Sequence, residues 1–406
     1  MANSNNGETL KAIYVDNAAT TAVSENALSA MLPFFRENFG NPSAIHNAGL
    51  EAKKALEAAR TAVAKAIGAF SSEIYFTCGG TESDNWALRG ICASKSKKGR
   101  HIISTEIEHK AVLNTLAALQ EQDFQVTLLK PDGCGVIAPE ALKNAIRPDT
   151  ILISIMLANN VVGTIQPIER LAEIAKERQI IFHTDAVQAV GHIPIDVRKL
   201  SVDLLSLSAH NFHGPKGVGA LYSKVPLVPA GYMTGGGQER GHRSGTEHVP
   251  GIVGLGAAIK EAAENMPAHT KYLVALRDRL IGEIAKIPQS RLTGHPTDRL
   301  PGHASFVFEG IEHSVYLINS LNEKGIYASS GSACSAASTD APHVLTAMGL
   351  DTRLAHNSLR ITLSADNTQD EIDRICRQIS SIIPELRNRK TRKRTKEIVS
   401  SVFDNY

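Results

Sequence analysis

The chain has 406 residues, 43% apolar, 21% charged and 5% aromatic, a globular composition long enough for two or three domains around a sizeable core. Its 43 Lys and Arg against 41 Asp and Glu exclude the chain-wide basic field that nucleic acid binding requires. Five scattered cysteines without a C-x-x-C spacing exclude a disulfide framework, and no uncharged stretch is apolar enough to span a bilayer.

The opening MANSNNGETLKA is polar and reads as neither signal nor transit peptide. A cytoplasmic protein, with no membrane and no nucleic acid partner, is therefore expected. From Gly49 to Ile67 the residues Leu50, Ala55, Leu56, Ala59, Val63 and Ile67 recur at helical spacing with charges opposite, which predicts an amphipathic helix. Then β-rich runs alternate with helical patterns: EIYFT and 81–94, HIIST and 109–120, FQVTLLK and 139–146, ILISIML and 168–178. IIFHTD, DLLSLS and VGALYS complete the series. Such alternation predicts an α/β fold with a largely parallel sheet, and runs as apolar as ILISIML predict strands buried on both faces.

Two further helices are expected at 249–263 and 272–287, and a Pro- and Gly-rich stretch from Pro288 to Gly302 then separates them from a smaller set. That set comprises ASFVFE, a helix at 313–324, a segment around Ile326, LRITLS and a helix at 368–383, and reads as a small α+β domain. Seven basic residues fall in the ten of RNRKTRKRTK (387–396), a solvated tail or a docking point for an acidic partner. Without them the rest of the chain carries five more acidic than basic residues.

In an open parallel sheet, ligands bind beyond the carboxyl ends of the strands, so the polar groups following the apolar runs are the candidates. EIYFT is followed by Cys78-Gly79-Gly80-Thr81, two glycines opening a helix whose free N–H groups suit a phosphate. Glu108, His109 and Lys110 follow HIIST, Asn159 and Asn160 follow ILISIML, Asp185 and Gln188 follow IIFHT, and Ser208 and His210 follow DLLSLS. Each alone is an ordinary turn or capping residue; five such sites in series along one sheet edge are harder to dismiss. The histidines of H-N-F-H and the His183/Asp185 pair read as polar loop residues, and no metal is expected. A carboxylate for a ring nitrogen, a helix start for a phosphate and a stacking ring are what pyridoxal phosphate asks of a protein. Cys334, among small residues in SSGSACSAAS, is either a nucleophile on an accessible loop or an incidental thiol, and Arg360 is either a carboxylate clamp or a surface ion pair.

The segments YVDNAATT, FGNPSAIH, GGTESDN, EHKAV, ANN, HTDAVQ, SLSAH-x-FHGPKG, GGGQERGHRSGT and SSGSACSAAS resemble, in order and spacing, those of the cysteine desulfurases. These are pyridoxal 5'-phosphate enzymes of the class V aminotransferase group, and the likeness runs from about Tyr14 to Ile383. It implies a homodimer of PLP fold-type I. A large domain (16–264) with a mainly parallel seven-stranded sheet would precede a small domain (1–15 and 265–385) and the tail (386–406). It further implies that Gly80, Thr81, Ser208 and His210 form a phosphate cup and that Thr246 reaches the neighbouring subunit's phosphate. His109 would stack on the ring, Asp185 pair with the pyridine nitrogen and Gln188 bond the phenolic oxygen. Asn160 and Arg360 would hold the carboxylate of the substrate, L-cysteine. Cys334 would take its sulfur, leaving alanine and a persulfide for an acceptor such as an iron–sulfur scaffold protein.

One position departs from the pattern. The family motif has its Schiff-base lysine directly after the histidine of S-x-H-K, and this chain reads Ser208-Ala209-His210-Asn211. A carboxamide has no basic amine, so Asn211 can neither anchor the cofactor covalently nor shuttle a proton. Nearby Lys216, in GPKG, matches a different lysine of the motif. Val161 replaces an acid that follows the paired asparagines in many relatives. An impaired or trapped desulfurase is the expectation; a non-catalytic cofactor-binding or persulfide-relay homologue, or a selenocysteine or cysteine lyase, are the alternatives.

Overall fold

A computed structural model describes residues 12–225, 232–331 and 341–388. Twelve strands are described: β1 (Ile13–Tyr14), β2 (Ile74–Thr77), β3 (His101–Thr105), β4 (Gln125–Leu129), β5 (Thr150–Ser154), β6 (Ile181–Asp185), β7 (Leu204–Ser208), β8 (Gly219–Ser223), β9 (Ser290–Thr293), β10 (His303–Phe308), β11 (Ile326–Tyr327) and β12 (Ser358–Thr362). Seven of them form one sheet in the order β2-β8-β7-β6-β5-β3-β4, parallel except for β8, which runs antiparallel to both neighbours. The expected mainly parallel, seven-stranded α/β sheet is what is found. Every residue of β2, β3, β5, β7 and β8 is buried, which explains why these runs are apolar throughout rather than alternating.

Helices cover both faces. On one, Gly80–Lys95 and Lys110–Gln120 bury Trp86, Leu88, Ile91, Val112 and Leu116. On the other, Asn47–Ile67 lays Leu56, Ala59, Val63 and Ile67 against the sheet beside Leu255 and Ile259 of the long helix Val249–Ile284. A second core gathers β10, β12, Ser314–Glu323, Gln369–Asn388 and the far end of that long helix. Asn17 Nδ2 donates to the Thr362 carbonyl at 2.7 Å, tying the start of the chain to this second body.

Two expectations are corrected. The segments 249–263 and 272–287 are one 36-residue helix that passes through Pro267. Pro267 is exposed and so is Ala263, four residues back, so water can bond the carbonyl that proline leaves without a partner and the break is tolerated. The Pro- and Gly-rich stretch is not only a linker, since β9 lies inside it. This four-residue edge strand pairs antiparallel with β10, and its register comes from that partner rather than from any pattern of its own.

Candidate active site

The polar groups at the strand ends converge on a cavity of about 250 Å³. Its lining includes Gly80, Thr81, His109, Asn160, Asp185, Gln188, Ser208, His210, Asn211 and Arg360, ten of the twelve residues singled out above. Thr246 is exposed on the loop before Val249 and does not reach this chain's cavity. Cys334 lies outside the described residues.

At one end, Gly80 begins the helix Gly80–Lys95, and a Cβ there would lie 2.6 Å from Val187 Cγ2. Gly79 precedes it at φ 152, a conformation side chains rarely adopt. The helix start is thus bare backbone, with free N–H groups and a partial positive charge facing Ser208, whose Oγ would be 3.7 Å from a Cβ on Gly79. Glu82 fixes the turn: its Oε2 accepts Cys78 N–H at 2.7 Å, and its Oε1 takes Arg243 Nε at 2.8 Å.

Past β7, a 3-10 turn (Ala209–Asn211) brings His210 and Asn211 to the cavity wall. His210 Nδ1 and Asn211 Oδ1 are buried without hydrogen-bond partners. Asn211 Nδ2 reaches only the Ala18 carbonyl, at 3.5 Å, while its own carbonyl contacts His192 Nε2 at 2.8 Å. Buried polar atoms without partners cost free energy, so these atoms suit a polar ligand. A larger cleft of about 530 Å³, lined in part by His192, His213, Glu261 and His269, opens elsewhere and contains none of the twelve residues.

Asp185 closes β6 at the other end, with Oδ1 accepting Val187 N–H at 2.9 Å; burial raises its pKa, and nearby His109 opposes that shift. His109 caps the helix Lys110–Gln120, and its Nδ1 accepts Ala111 N–H at 3.1 Å. That bond occupies the Nδ1 lone pair, so in the neutral ring the proton sits on Nε2. Gln188 Nε2 donates to the Ala18 carbonyl at 3.0 Å, which orients the side chain. The paired asparagines separate in role: Asn159 Oδ1 accepts Val161 and Val162 N–H and shapes the turn, whereas Asn160 lines the cavity.

Arg360 comes from β12, in the second body, and is 2% exposed. Its NH2 donates to Asp16 Oδ1 at 2.7 Å and its NH1 to the Asn160 and Gly331 carbonyls at 2.8 and 3.2 Å, while Nε has no partner. The guanidinium is therefore a buried fork held from behind by Asp16, with an open donor for a carboxylate.

Two wall residues, Asp84 and His343, were not foreseen, and Glu108, which follows HIIST beside His109, reads in the sequence as an ordinary turn residue. Asp84 lies within a helix and lines the cavity; Glu108 is fully buried next to His109; His343 lines the cavity from beyond the 332–340 segment. Asp84 and Glu108 sit where a sequence pattern reads ordinary helix and turn acids, and only the tertiary fold buries them.

The amino-acid sequence matches the family model described as aminotransferase class-V over residues 13–375. The chain belongs to the class-V aminotransferase family. Within it, the chain is 53% identical over 378 residues to the cysteine desulfurase IscS of Methanosarcina thermophila, covering 93% of each. It is 50% identical to that of Clostridium botulinum strain Hall over 93% of this chain and 96% of the other. A solved NifS-like protein superposes with a TM-score of 0.87 at 41% identity, over 92% of this chain and all of that one. The family is pyridoxal 5'-phosphate dependent, and the cavity suits that group: a helix start at Gly80 for an anion, a carboxylate at Asp185 and unpartnered polar atoms on His210 and Asn211 in the same lining.

Proposed function

We propose that this chain is a cysteine desulfurase-type enzyme that holds pyridoxal 5'-phosphate and L-cysteine in the cavity beneath Arg360. The observation that carries the reading is the meeting, in one cavity, of the glycine helix start, the buried Asp185 and the buried Arg360 fork. When bound, the cofactor supplies a carbonyl carbon for the amino group and an electron-withdrawing ring beside the substrate's Cα. The chain's own residues do the rest. Gly80, Thr81, Ser208 and His210 bind the phosphate, and Asp185 keeps a proton on the ring nitrogen. Gln188 donates toward the phenolic oxygen. His109 covers the ring and offers the proton on its Nε2. Arg360 and Asn160 orient the substrate carboxylate, and Cys334 accepts the sulfur for transfer to an acceptor such as an iron–sulfur scaffold.

Asn211 sets the limit on this chemistry. It can neither form the covalent link nor carry the Cα proton, and losing a general base alone costs on the order of 10²–10⁴ in rate. The cup, the stack and the carboxylate would hold the cofactor here without a covalent anchor. Asn211 also favours a second reading, a cofactor-binding or persulfide-relay protein that turns nothing over.

A homodimer acting in the cytoplasm completes the reading. Leu32, Phe35, Phe39 and Ile45 are 54–94% exposed within a short span of chain, the kind of apolar surface a second copy covers, and Leu50 joins them at 51%. No helix among the described residues is long and apolar enough to cross a membrane.

The deciding experiment is Asn211→Lys. Absorbance spectra with added cofactor, and alanine and sulfide release from L-cysteine, are compared between the chain as it stands and the variant. Recovered turnover together with a borohydride-fixed cofactor on residue 211 supports the enzyme reading. A folded, cofactor-loaded variant that stays inert favours the relay protein, and a chain that binds no cofactor in either form overturns both.

A further inference from the structure

The wall around Asp185 holds more acid than a single contact to a ring nitrogen uses. Asp84 is 1% exposed, Glu108 0% and Asp185 5%, and each of Asp84 and Glu108 lies in the electrostatic field of Asp185. Asp84 Oδ1 and Glu108 Oε2 are buried without hydrogen-bond partners. Glu108 Oε1 is already committed to Thr105 Oγ1 at 2.6 Å and Met156 N–H at 3.1 Å.

No Lys or Arg among the described residues pairs with any of the three. From β6, His183 Nε2 stands 3.7 Å from Asp84 Oδ1, but its two ring nitrogens contact the hydroxyls of Ser154 and Ser206 at 2.9 and 3.0 Å. Complete burial pushes His183 down to about 3, so it stays neutral and supplies no charge. From β7, the Ser206 hydroxyl also acts on Asp84. His109 acts on Asp185 from the start of its helix, and His343 Nε2 meets the Glu108 backbone carbonyl at 3.0 Å, its pKa lowered by burial.

Lys110 and Arg360 line the same cavity, but Arg360 is tied to Asp16 and neither forms an ion pair with the three. Three buried carboxyls with no cation paired to them cannot all ionise; some must hold protons until a positive group arrives. We propose that Asp84 and Glu108 are positioning residues which, with Asp185, form a proton-holding cluster that the protonated ring nitrogen of the cofactor completes as its missing cation. On binding, one carboxyl O–H of the cluster breaks. Its proton passes to the ring nitrogen if that arrives neutral, or to solvent if it arrives protonated, and Asp185 is left ionised against the ring. The proposal rests on the cavity being the cofactor site.

The test uses the cofactor-free full-length chain and pyridoxine 5'-phosphate, which has the ring nitrogen and phosphate but no aldehyde, so that Asn211 does not enter. Binding is followed by calorimetry at one pH in buffers of different ionisation enthalpy, which counts protons exchanged, for the chain and for Asp84→Asn and Glu108→Gln. In both ligand protonation cases the unsubstituted chain is expected to release more, or take up fewer, protons than Asp84→Asn, by about one per chain, the capacity of one carboxyl. Glu108→Gln shifts the count in the same direction and serves alone if Asp84→Asn does not fold. A side chain that only fills space would change affinity and leave the count unmoved, so equal counts with binding intact overturn the proposal. Failure of the folded, unsubstituted chain to bind the probe overturns the cofactor reading, and this proposal with it.

Discussion

Glu239→Gln isolates the one fully buried bidentate ion pair among the described residues. Arg60 NH1 and NH2 meet Glu239 Oε2 and Oε1 at 2.8 and 2.9 Å, with side-chain exposures of 4% and 3%. Glu239 Oε2 also accepts Phe76 N–H at 2.9 Å, Arg60 NH1 also donates to the Ile74 carbonyl at 2.8 Å, and the guanidinium carbon lies 4.6 Å above the Phe76 ring. The pair therefore fastens the glycine-rich loop before the long helix to β2, the strand that delivers Gly79 and Gly80. A carboxamide in place of the Glu239 carboxylate would leave Arg60 charged and buried: its oxygen could keep the Oε2 contacts to Arg60 NH1 and Phe76 N–H, but an amide NH2 would face Arg60 NH2 where Oε1 now accepts. Breaking one side of such a pair costs about 3–5 kcal/mol, and the lower end applies because exposed Glu57, 3.2 Å from Arg60 Nε, remains as a partial partner. Urea unfolding should show about 3 kcal/mol lost with an unchanged slope, and the amides of residues 237–245 should exchange faster. The double variant Arg60→Met/Glu239→Leu should recover most of that loss, because no charge is left buried. A single-variant loss below about 1 kcal/mol, the range of an exposed pair, would refute the reasoning, as would a double variant no better than the single.

Arg360→Lys keeps the charge but loses the fork, so it cannot reach Asp16, the Asn160 carbonyl and a substrate carboxylate together. L-cysteine affinity should fall about 10- to 100-fold, the worth of one charge-assisted hydrogen bond, read as KM in the Asn211→Lys background, with kcat changed far less. The cofactor-free chain should lose stability as pH rises from about 4.5 to about 8 and level off above. Burial first, then the charge of Asp185, lifts Glu108 to about 8, so the folded state prefers its protonated form while the unfolded chain ionises it near 4.5. Glu108→Gln should flatten that slope in urea titrations at pH 5, 7 and 9. Its amide resembles the protonated carboxyl that the folded state prefers, so the variant should lie close to the unsubstituted chain at pH 5 and exceed it in stability by pH 9.

What was legible in the sequence divides along physical lines. The sheet was readable because strands buried on both faces must be apolar throughout, and its edge was readable because polar residues can follow such runs only where the chain emerges toward solvent or ligand. The acids behind that edge were not. Asp84 lies in GTESDNWALRG, where a helix-forming window with a polar first turn looks like any surface helix, and only packing against β6 and β7 buries it. Arg60 occupies a helix whose charges pattern as exposed, yet its partner lies 179 residues further on. The clamp on Arg360 is likewise formed by Asp16, 344 residues away, through a contact no local period can announce.

Asn211 is the reverse case, plain in the sequence and nearly silent in the geometry. Its amide occupies the cavity wall with one weak contact at 3.5 Å and an unpartnered Oδ1, and the residues around it keep an arrangement suited to a ring, a phosphate and a carboxylate. On the proposed reading, binding and bond-making come apart in this molecule. The cup, the acid cluster and the Arg360 fork would act by hydrogen bonds and charge, which persist without a covalent anchor, whereas turnover would need an amine that a carboxamide does not provide. Affinity for the cofactor and for L-cysteine should consequently survive changes that leave the rate near zero, and an assay of turnover alone would miss most of what the cavity does.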